Sequence, residues 1–339
     1  MMRNSESKNL ICFSSHSHRI TNLCEVLFVY VDKKWYICRR VDWQRYDWRN
    51  WMMRTVAHNK RMIRLRDFST AFSRSAFTDV LLFDDFSRFD WLRAQYRLRS
   101  KTYAGLIRGA YAAISKDYRC EYVYKNELVN LLLRRYGTRS TVYFSEFRVG
   151  SSIADMVMFN GESKVFEIKT EYDSPRRLDK QMGDYKGVFD KCYLVVPESK
   201  VGDYLQVVEE ETGIIVMANG SDRMELRECR EARQNEAFNS YAMLSCLRAC
   251  EYERMAENSG HDIMSVPGYK RFDYCKDLFA KTAAKDLKRL FLQEVKKRQN
   301  NTRFLRKYPV ALRQMLLSLN LPEKKALLLL DKLKTTIQS

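Results

Sequence analysis

Three charged residues fall in a stretch whose pattern otherwise predicts two buried strands. Asp155 lies in the first apolar run, and Glu167 and Lys169 lie in the second. The two runs meet at Asn160-Gly161, a dipeptide that favours a tight β-hairpin turn. Charges inside a core strand cost free energy unless they are paired or bind a metal ion. The pattern therefore predicts a site in which these charges are compensated.

The register of this hairpin decides whether the charges can act together. A two-residue turn would place Asp155 opposite Phe166 and would direct Glu167 to the other face. A three-residue loop, with Gly161 in the left-handed bulge position, shifts the pairing by one residue and brings Asp155 onto the face of Glu167 and Lys169. We expect this longer loop, because it also leaves one continuous apolar face. The residues expected on that face are Ala154, Met156, Met158, Phe166 and Ile168.

An Asp followed on the next strand by Glu-x-Lys resembles the PD-(D/E)XK nuclease superfamily, which has the restriction-endonuclease-like fold. Asp155 and the triplet Glu167-Ile168-Lys169 carry the resemblance, and Ala154 stands where the family name has Pro. The resemblance implies that Asp155 and Glu167 hold Mg²⁺, or Mn²⁺ in its place, with the backbone carbonyl of Ile168 as a third ligand. Lys169 would orient the attacking water or stabilise the transition state of phosphodiester hydrolysis.

The resemblance extends to the segments on either side. Upstream, residues 125–132 resemble the first helix of the family with its acidic residue, here Glu127, which could reach a second metal ion. Downstream, residues 178–185 resemble the helix that follows the active strand in resolvase-like and RecB-like members, with Gln181 and Tyr185 placed to position the scissile phosphate. The match covers roughly residues 121–220, and the flanking segments more loosely resemble an uncharacterised bacterial family with this core.

The distribution of charge indicates where a polyanion would bind. The chain carries a formal net charge of +18, which favours a polyanionic partner. Residues 121–220 have a net charge of −3, whereas residues 270–307 carry 13 basic and 4 acidic residues. We therefore expect the basic segment to bind nucleic acid, DNA rather than RNA because the resembling families mostly cut DNA. The candidate contact residues are Lys285, Lys288, Arg289, Lys296, Lys297 and Arg298.

The order of periodic segments predicts an α/β fold. Residues 121–220 read as α-β-β-β-α-β-α-β, which fits a restriction-endonuclease-like core with a mixed four- or five-stranded sheet flanked by helices. Helical additions are expected on both sides, and they include one helix from Phe68 to Leu82 and a long helix from Arg227 to Glu257. The predicted regions are an N-terminal extension (1–60), a helical region (61–120), the nuclease-like core (121–220) and a basic helical C-terminal region (221–339).

Residues 1–60 have an unusual composition. They contain four of the five Trp, three of the four His and three of the nine Cys, without a helical or strand periodicity. We expect a poorly ordered or non-native extension, translated from an upstream start, with Met52, Met53 or Met62 as the true beginning. A surface on which bases stack is the alternative.

Several classes of protein are excluded or disfavoured. No apolar stretch reaches the ~20 residues of a membrane helix, and scattered cysteines without metal-binding spacing are typical of a reducing cytoplasm. Histidine beyond residue 60 is limited to His261, which argues against a catalytic triad, and no phosphate-binding GxxxxGK[ST] loop is present.

Two hypotheses remain open. The first is a metal-dependent nuclease, with a role in defence or mobile-element biology suggested by the resemblance. The second is a catalytically inactive protein with the same fold that binds nucleic acid or serves as a scaffold. A homodimer and a partner protein are both compatible with the sequence.

Overall fold

A computed structural model describes residues 27–31, 34–38, 48–220, 224–236 and 238–337, with side chains from Thr55 onward apart from a few positions near residues 219–224. The chain divides into two units, Met1–Arg61 and Met62–Ser339. The first unit contains the antiparallel pair β1 (Leu27–Val31) and β2 (Lys34–Cys38). The prediction that residues 1–60 form a disordered or non-native extension falls mostly on positions that lie outside the described residues.

The second unit is built on a six-stranded mixed sheet in which strand order follows chain order. The first three strands form an antiparallel meander, the next two add in parallel, and the last returns antiparallel. The strands are β3 (Val142–Val149), β4 (Ser152–Phe159), β5 (Ser163–Ile168), β6 (Lys191–Pro197), β7 (Gly213–Asn219) and β8 (Met224–Arg230).

Helices cover both faces of this sheet. The helices of the described residues are α1 (Trp48–Thr70), α2 (Arg74–Phe83), α3 (Ser87–Tyr96), α4 (Tyr103–Asp117), α5 (Glu121–Tyr136), α6 (Leu178–Lys186), α7 (Val201–Leu205), α8 (Ser240–Ser245), α9 (Ala249–Asn258), α10 (Arg271–Lys281), α11 (Ala284–Lys296), α12 (Arg313–Leu319) and α13 (Glu323–Leu333).

Two apolar cores lie on opposite faces of the sheet. The first core joins one sheet face to helices α2–α5, α12 and α13, and the second joins the other face to α6 and α8–α11. Because successive side chains of β5 point to opposite faces of the sheet, Val165 packs in the second core and Phe166 packs in the first. The predicted mixed sheet flanked by helices is confirmed in this coarse form, with six strands instead of four or five.

Two predicted helices are wrong in extent. The helix expected from Phe68 to Leu82 is broken by a turn, and Ser73 caps the new helix α2 by accepting a hydrogen bond from the backbone N–H of Ala76. The segment expected to begin a long helix at Arg227 instead contains strand β8 at the sheet edge. Charged residues are frequent on edge strands because they oppose pairing with a further strand, and this charge gave the segment a helix-like pattern.

The hairpin between β4 and β5 has the predicted register. Phe159 pairs with Ser163, so the loop has three residues, and Gly161 adopts a positive φ of 123°. Continuing this register from the Met156–Phe166 pair puts Asp155 across from Glu167. The predicted register, with Asp155 and Glu167 at facing positions of neighbouring strands, is therefore confirmed.

One member of the predicted apolar face lies on the other side. Met156, Met158, Phe166 and Ile168 belong to the first core, but Ala154 packs with Phe147 in the second. The alternation reverses on both strands at this point. On β3 the neighbouring residue Glu146 has a left-handed φ of 55°, which interrupts the regular pleat.

The close approach of β6 and β7 depends on a glycine. A β-carbon at Gly213 would lie 2.4 Å from the ring of Tyr193 and 2.7 Å from the backbone nitrogen of Ala232. We expect Gly213→Ala to lower the free energy of unfolding by about 1–3 kcal/mol, the usual range for overpacking a core. Urea unfolding at equilibrium measures this change. Gly202→Ala is the matched control, since no atom lies within 4 Å of its β-carbon, and equal effects of the two substitutions would contradict the interpretation.

Candidate active site

Glu167 is a buried carboxylate surrounded by hydrogen-bond donors. Its side chain lies at the end of β5 and the residue is 3% exposed. Lys169 Nζ and Gln181 Nε2 donate to Oε1 at 2.8 and 2.7 Å, and the hydroxyl of Tyr185 donates to Oε2 at 2.8 Å. Lys169 Nζ also donates to Gln181 Oε1 at 2.8 Å. Four predicted site residues therefore form one hydrogen-bonded cluster.

Helix α6 supplies two of these donors because its residues 181 and 185 are one turn apart. Leu178 and Met182 of the same helix are buried in the second core and fix its position against the sheet. Gln181 and Tyr185 were expected to position a phosphate. In the structure they hold Glu167 instead, and Gln181 also links that carboxylate to Lys169.

Asp155 meets the cluster where β4 and β5 stop pairing. Its Oδ2 accepts the backbone N–H of Ile168 at 2.8 Å, and its Oδ1 lies 3.0 Å from Lys125 Nζ. The carboxylate thus takes a backbone donor that a neighbouring strand would otherwise use. Ile168, whose carbonyl is the predicted third ligand, thus follows Glu167 in the chain and is hydrogen-bonded to Asp155.

The two carboxylates influence each other electrostatically. Burial raises the pKa of Asp155 above its usual value, although the charge of Lys125 and the Ile168 N–H oppose this change. Burial also raises the pKa of Glu167, and the negative charge of Asp155 raises it further, against the opposing effect of Lys169. Two buried acids that destabilise each other's charge are an arrangement typical of cation sites and of active sites.

The structure does not bring Glu127 to this cluster. Glu127 accepts hydrogen bonds from the hydroxyl of Tyr111 at 2.6 Å and from Asn130 at 3.4 Å. Two residues correspond to about 200° on a helix, so Glu127 faces away from the side of α5 that presents Lys125 to Asp155. The predicted contact of Glu127 with a second metal ion is incompatible with this position.

The sequence interpretation overlooked Lys125 and Glu121. Lys125 is 8% exposed and pairs with both Asp155 and Glu121, the second contact being 2.6 Å. Burial alone would lower the pKa of Lys125, but the two carboxylates raise it above its usual value. A signal was present in the sequence, because Lys125 lies on the same helical stripe as Leu128 and Leu132 and a lysine there needs a buried partner.

The chemistry of the cluster fits a divalent cation held by two carboxylates. Asp155 and Glu167 offer the hard oxygen ligands that Mg²⁺ and Mn²⁺ prefer. Within the described ranges, no group of three or more His, Cys, Asp or Glu side chains is arranged to hold a metal ion. The remaining ligands would therefore be a backbone carbonyl such as that of Ile168, water and a substrate oxygen.

The predicted basic residues divide into two groups, one on helix α11 and one directly after it. Lys285, Lys288, Arg289 and Lys296 line a cavity of about 420 Å³ together with the β4–β5 loop residue Glu162. Lys285 and Arg289 are exposed. Lys288 forms an ion pair within the protein, because its Nζ lies 3.0 Å from the buried carboxylate of Asp190.

Arg298 and Lys297 have structural contacts. Arg298 donates to both carboxylate oxygens of Glu251 at 2.6 and 2.8 Å and to the carbonyl of Cys246, and its side chain is only 12% exposed. Lys297 pairs with the buried Glu294. Arg298 is therefore a poor candidate for phosphate contact, since a ligand would have to compete with a buried ion pair.

The basic cavity and the carboxylate cluster lie at opposite ends of β5. The cavity includes the loop before Ser163, whereas the cluster begins at Glu167. At about 3.3 Å per residue the two ends of this strand are roughly 17 Å apart. At the cluster end, Arg176 and Arg177 are exposed on the short 3-10 turn that precedes α6, and the sequence interpretation had not assigned them a role.

Comparisons with known proteins identify the family. The model of the family described as Bacteriophage P4 protein cII matches residues 114–319, which is more than half of the chain and contains α5, the cluster and α11. The chain belongs to this family.

Two individual proteins show limited similarity. Protein cII of Enterobacteria phage P4 is 24% identical over 107 residues, which cover 32% of this chain and 40% of that relative. The match thus spans less than half the length of the phage protein. A solved structure, the SPO1766 protein of unknown function from Silicibacter pomeroyi, is 16% identical with a TM-score of 0.27 and covers 41% of this chain and 92% of its own.

None of the helices in the described residues is both long enough and apolar enough to cross a membrane.

The raised pKa values of the two carboxylates predict a pH dependence of stability. A group whose pKa is higher in the folded chain than in the unfolded chain takes up protons on folding. Its contribution to the free energy of unfolding is fully present below the usual pKa values of 3.8 and 4.5, and it is lost as the pH rises through the pKa of the folded chain. We expect the free energy of unfolding of the metal-free protein to increase as the pH falls from neutrality toward these usual values, by about 1.4 kcal/mol for each unit by which the pKa in the folded chain exceeds the usual value.

The double variant Asp155→Asn/Glu167→Gln should show a smaller slope, measured by urea unfolding across this range. Asp190 and Glu251 have lowered pKa values and lose stability only as the pH falls below their usual values. Identical slopes in the two proteins would contradict the raised pKa values of Asp155 and Glu167.

Proposed function

We propose that this protein is a metal-dependent nuclease of the PD-(D/E)XK type, which hydrolyses phosphodiester bonds in nucleic acid, DNA in preference to RNA. The observation that supports it most is the joint contact of Lys169, Gln181 and Tyr185 with Glu167, with Asp155 bonded to the intervening Ile168. These residues are among those that the resemblance selected from the sequence, and they converge in three dimensions.

The order of elements is compatible with this proposal. Helix α5 is followed by an antiparallel meander of three strands, then by α6 and a parallel fourth strand, β6. The acidic residues lie on the second and third strands, and α6 closes the site from one side. This arrangement supports a restriction-endonuclease-like core.

Each residue has a role that follows from its contacts. Asp155 and Glu167 would hold Mg²⁺, or Mn²⁺, which when bound polarises the phosphate and lowers the pKa of a bound water. Lys169 presents its ammonium beside Glu167, where it could hold the attacking water and balance negative charge that develops on the phosphate. Gln181 and Tyr185 are positioning residues, because they fix Glu167 and leave it one orientation.

Cleavage assays test the proposal. Purified protein with Mg²⁺ should cut DNA, with single- and double-stranded DNA and RNA compared side by side. Asp155→Ala and Lys169→Ala should each lower the rate by at least about a hundredfold, the effect of removing one group that stabilises transition-state charge. Glu127→Gln is the matched control on the neighbouring helix and should cut like the unmodified protein, because Glu127 contacts Tyr111 outside the cluster. Full activity in Lys169→Ala, with its fold verified by circular dichroism, would contradict the mechanism.

Nucleic-acid binding is proposed for the outer surface of α11. Lys285 and Arg289 are exposed beside the basic cavity, while the opposite side of the helix is buried through Leu287, Leu290 and Phe291. The helix therefore presents positive charge without exposing the core. Its distance from the cluster makes it a binding surface and not part of the chemistry.

The salt dependence of affinity tests this surface. Lys285→Glu/Arg289→Glu should weaken duplex binding in EDTA and reduce the slope of log K against log salt by about 1.8, since each phosphate contact contributes roughly 0.9. Lys324→Glu/Lys325→Glu is the matched control, with the same change of charge at exposed positions of α13. Equal slopes for the two double variants would show that binding does not depend on α11.

A second candidate function is nucleic-acid binding without cleavage. It is favoured by the fact that every carboxylate oxygen of the cluster already accepts a hydrogen bond or ion pair from the protein. Salt-dependent binding through α11, combined with no cleavage of any nucleic acid in Mg²⁺ or Mn²⁺, would favour this alternative.

A further inference from the structure

Two lysines neutralise the two carboxylates of the cluster. Lys169 pairs with Glu167 at 2.8 Å, and Lys125 pairs with Asp155 at 3.0 Å. Both lysines are largely buried, with side-chain exposures of 10%. The pairs of opposite charge therefore stabilise each other in the folded protein without a metal ion. A divalent cation bound to Asp155 would lie within a few ångströms of the Lys125 ammonium and would be repelled by it.

The partners of Asp155 differ in how easily they can move. The Ile168 N–H belongs to the backbone of a central strand and is fixed. The Lys125 ammonium, in contrast, ends a flexible side chain with four carbons. It is the donor to Asp155 that can leave when a cation arrives.

Lys125 also has a second carboxylate within reach. Glu121 lies one helical turn before it, and its Oε1 is 2.6 Å from Lys125 Nζ. The side chain of Glu121 is 64% exposed, so it projects from the buried cluster toward solvent. An ammonium that leaves Asp155 can therefore keep a partner without crossing an apolar region.

We propose that Lys125 is the resident cation of this site: it holds Asp155 in the metal-free protein, and binding of a divalent metal ion transfers its ammonium to Glu121. This inference depends on the proposed function, because it assumes that Asp155 is a metal ligand. It predicts that the protein binds metal more weakly than two buried carboxylates would without Lys125, and that the strength of binding is set by residues of helix α5.

Calorimetric titration of the full-length protein with Mn²⁺, in the absence of nucleic acid, tests the transfer. Lys125→Met should bind Mn²⁺ roughly tenfold more tightly than the unmodified protein, which corresponds to about 1.4 kcal/mol. Glu121→Gln should bind it more weakly, because the displaced ammonium loses its negatively charged partner. Lys164→Met is the matched control, since Lys164 is a buried lysine of β5 that pairs with Glu162 outside the cluster, and its affinity should not change.

The sign of the Lys125→Met effect separates this proposal from a purely structural role. If Lys125 only positioned Asp155, Lys125→Met would bind Mn²⁺ more weakly or equally, and either result would overturn the inference. Glu121→Gln is on the surface and should fold even if Lys125→Met does not, and an unchanged affinity in that variant would also overturn it. Asp155→Asn distinguishes failure of the proposed function: if the unmodified protein and Asp155→Asn bind Mn²⁺ equally, Asp155 is not a metal ligand.

Discussion

A carboxylate buried in the middle of a sheet is the constraint on which this structure depends. Glu167 lies on β5, with β4 on one side and β6 on the other, and water cannot solvate its charge. Removing one partner from a buried charge typically costs about 3–5 kcal/mol, so the surrounding elements must supply donors. Helix α6 does so through Gln181 and Tyr185, and Lys169 does so from the position directly after β5. The polar cluster thereby fixes α6 against the sheet in a way that apolar packing alone would not.

The same constraint explains how β4 ends its pairing with β5. After the Met156–Phe166 pair, the side chain of Asp155 accepts the N–H of Ile168 in place of a strand carbonyl. The strands can then separate without leaving this buried donor unpaired. Asp155 in turn needs a positive partner, which Lys125 provides from α5 in the opposite layer. The cluster thus links helices on both faces of the sheet through two adjacent strands.

Much of this cluster could be predicted from local signals in the sequence. Asn160-Gly161 indicated the loop, and the apolar pattern selected its length, because a slip of one residue would have placed Asp155 on the wrong side. Gln181 and Tyr185 were identified from the resemblance of their helix to the family, and their spacing of four residues placed them on one helical face. Their contact with Glu167 was not predicted, because a spacing of four residues indicates that two side chains share a helical face but does not indicate what that face contacts.

The incorrect predictions concern residues whose contacts are determined by packing against other segments of the chain. Glu127 and Lys125 differ by two positions on one helix, and only the packing of α5 shows which one faces the sheet. Strand β8 looked helical because edge position, not periodicity, determines its charged composition. Arg298 belonged to a basic run, but its pairing with Glu251, 47 residues earlier, cannot be deduced from local sequence. In each case the deciding partner is distant along the chain.

The exposed basic residues of helix α11 lie at the opposite end of β5 from the carboxylate cluster. Lys288 anchors the helix at the start of this strand through Asp190. A ligand that contacts both ends must span about 17 Å, or about five base pairs at 3.4 Å each along a duplex. A polymeric ligand satisfies this spacing, whereas a mononucleotide does not, so simultaneous contact with both proposed regions requires a polymer.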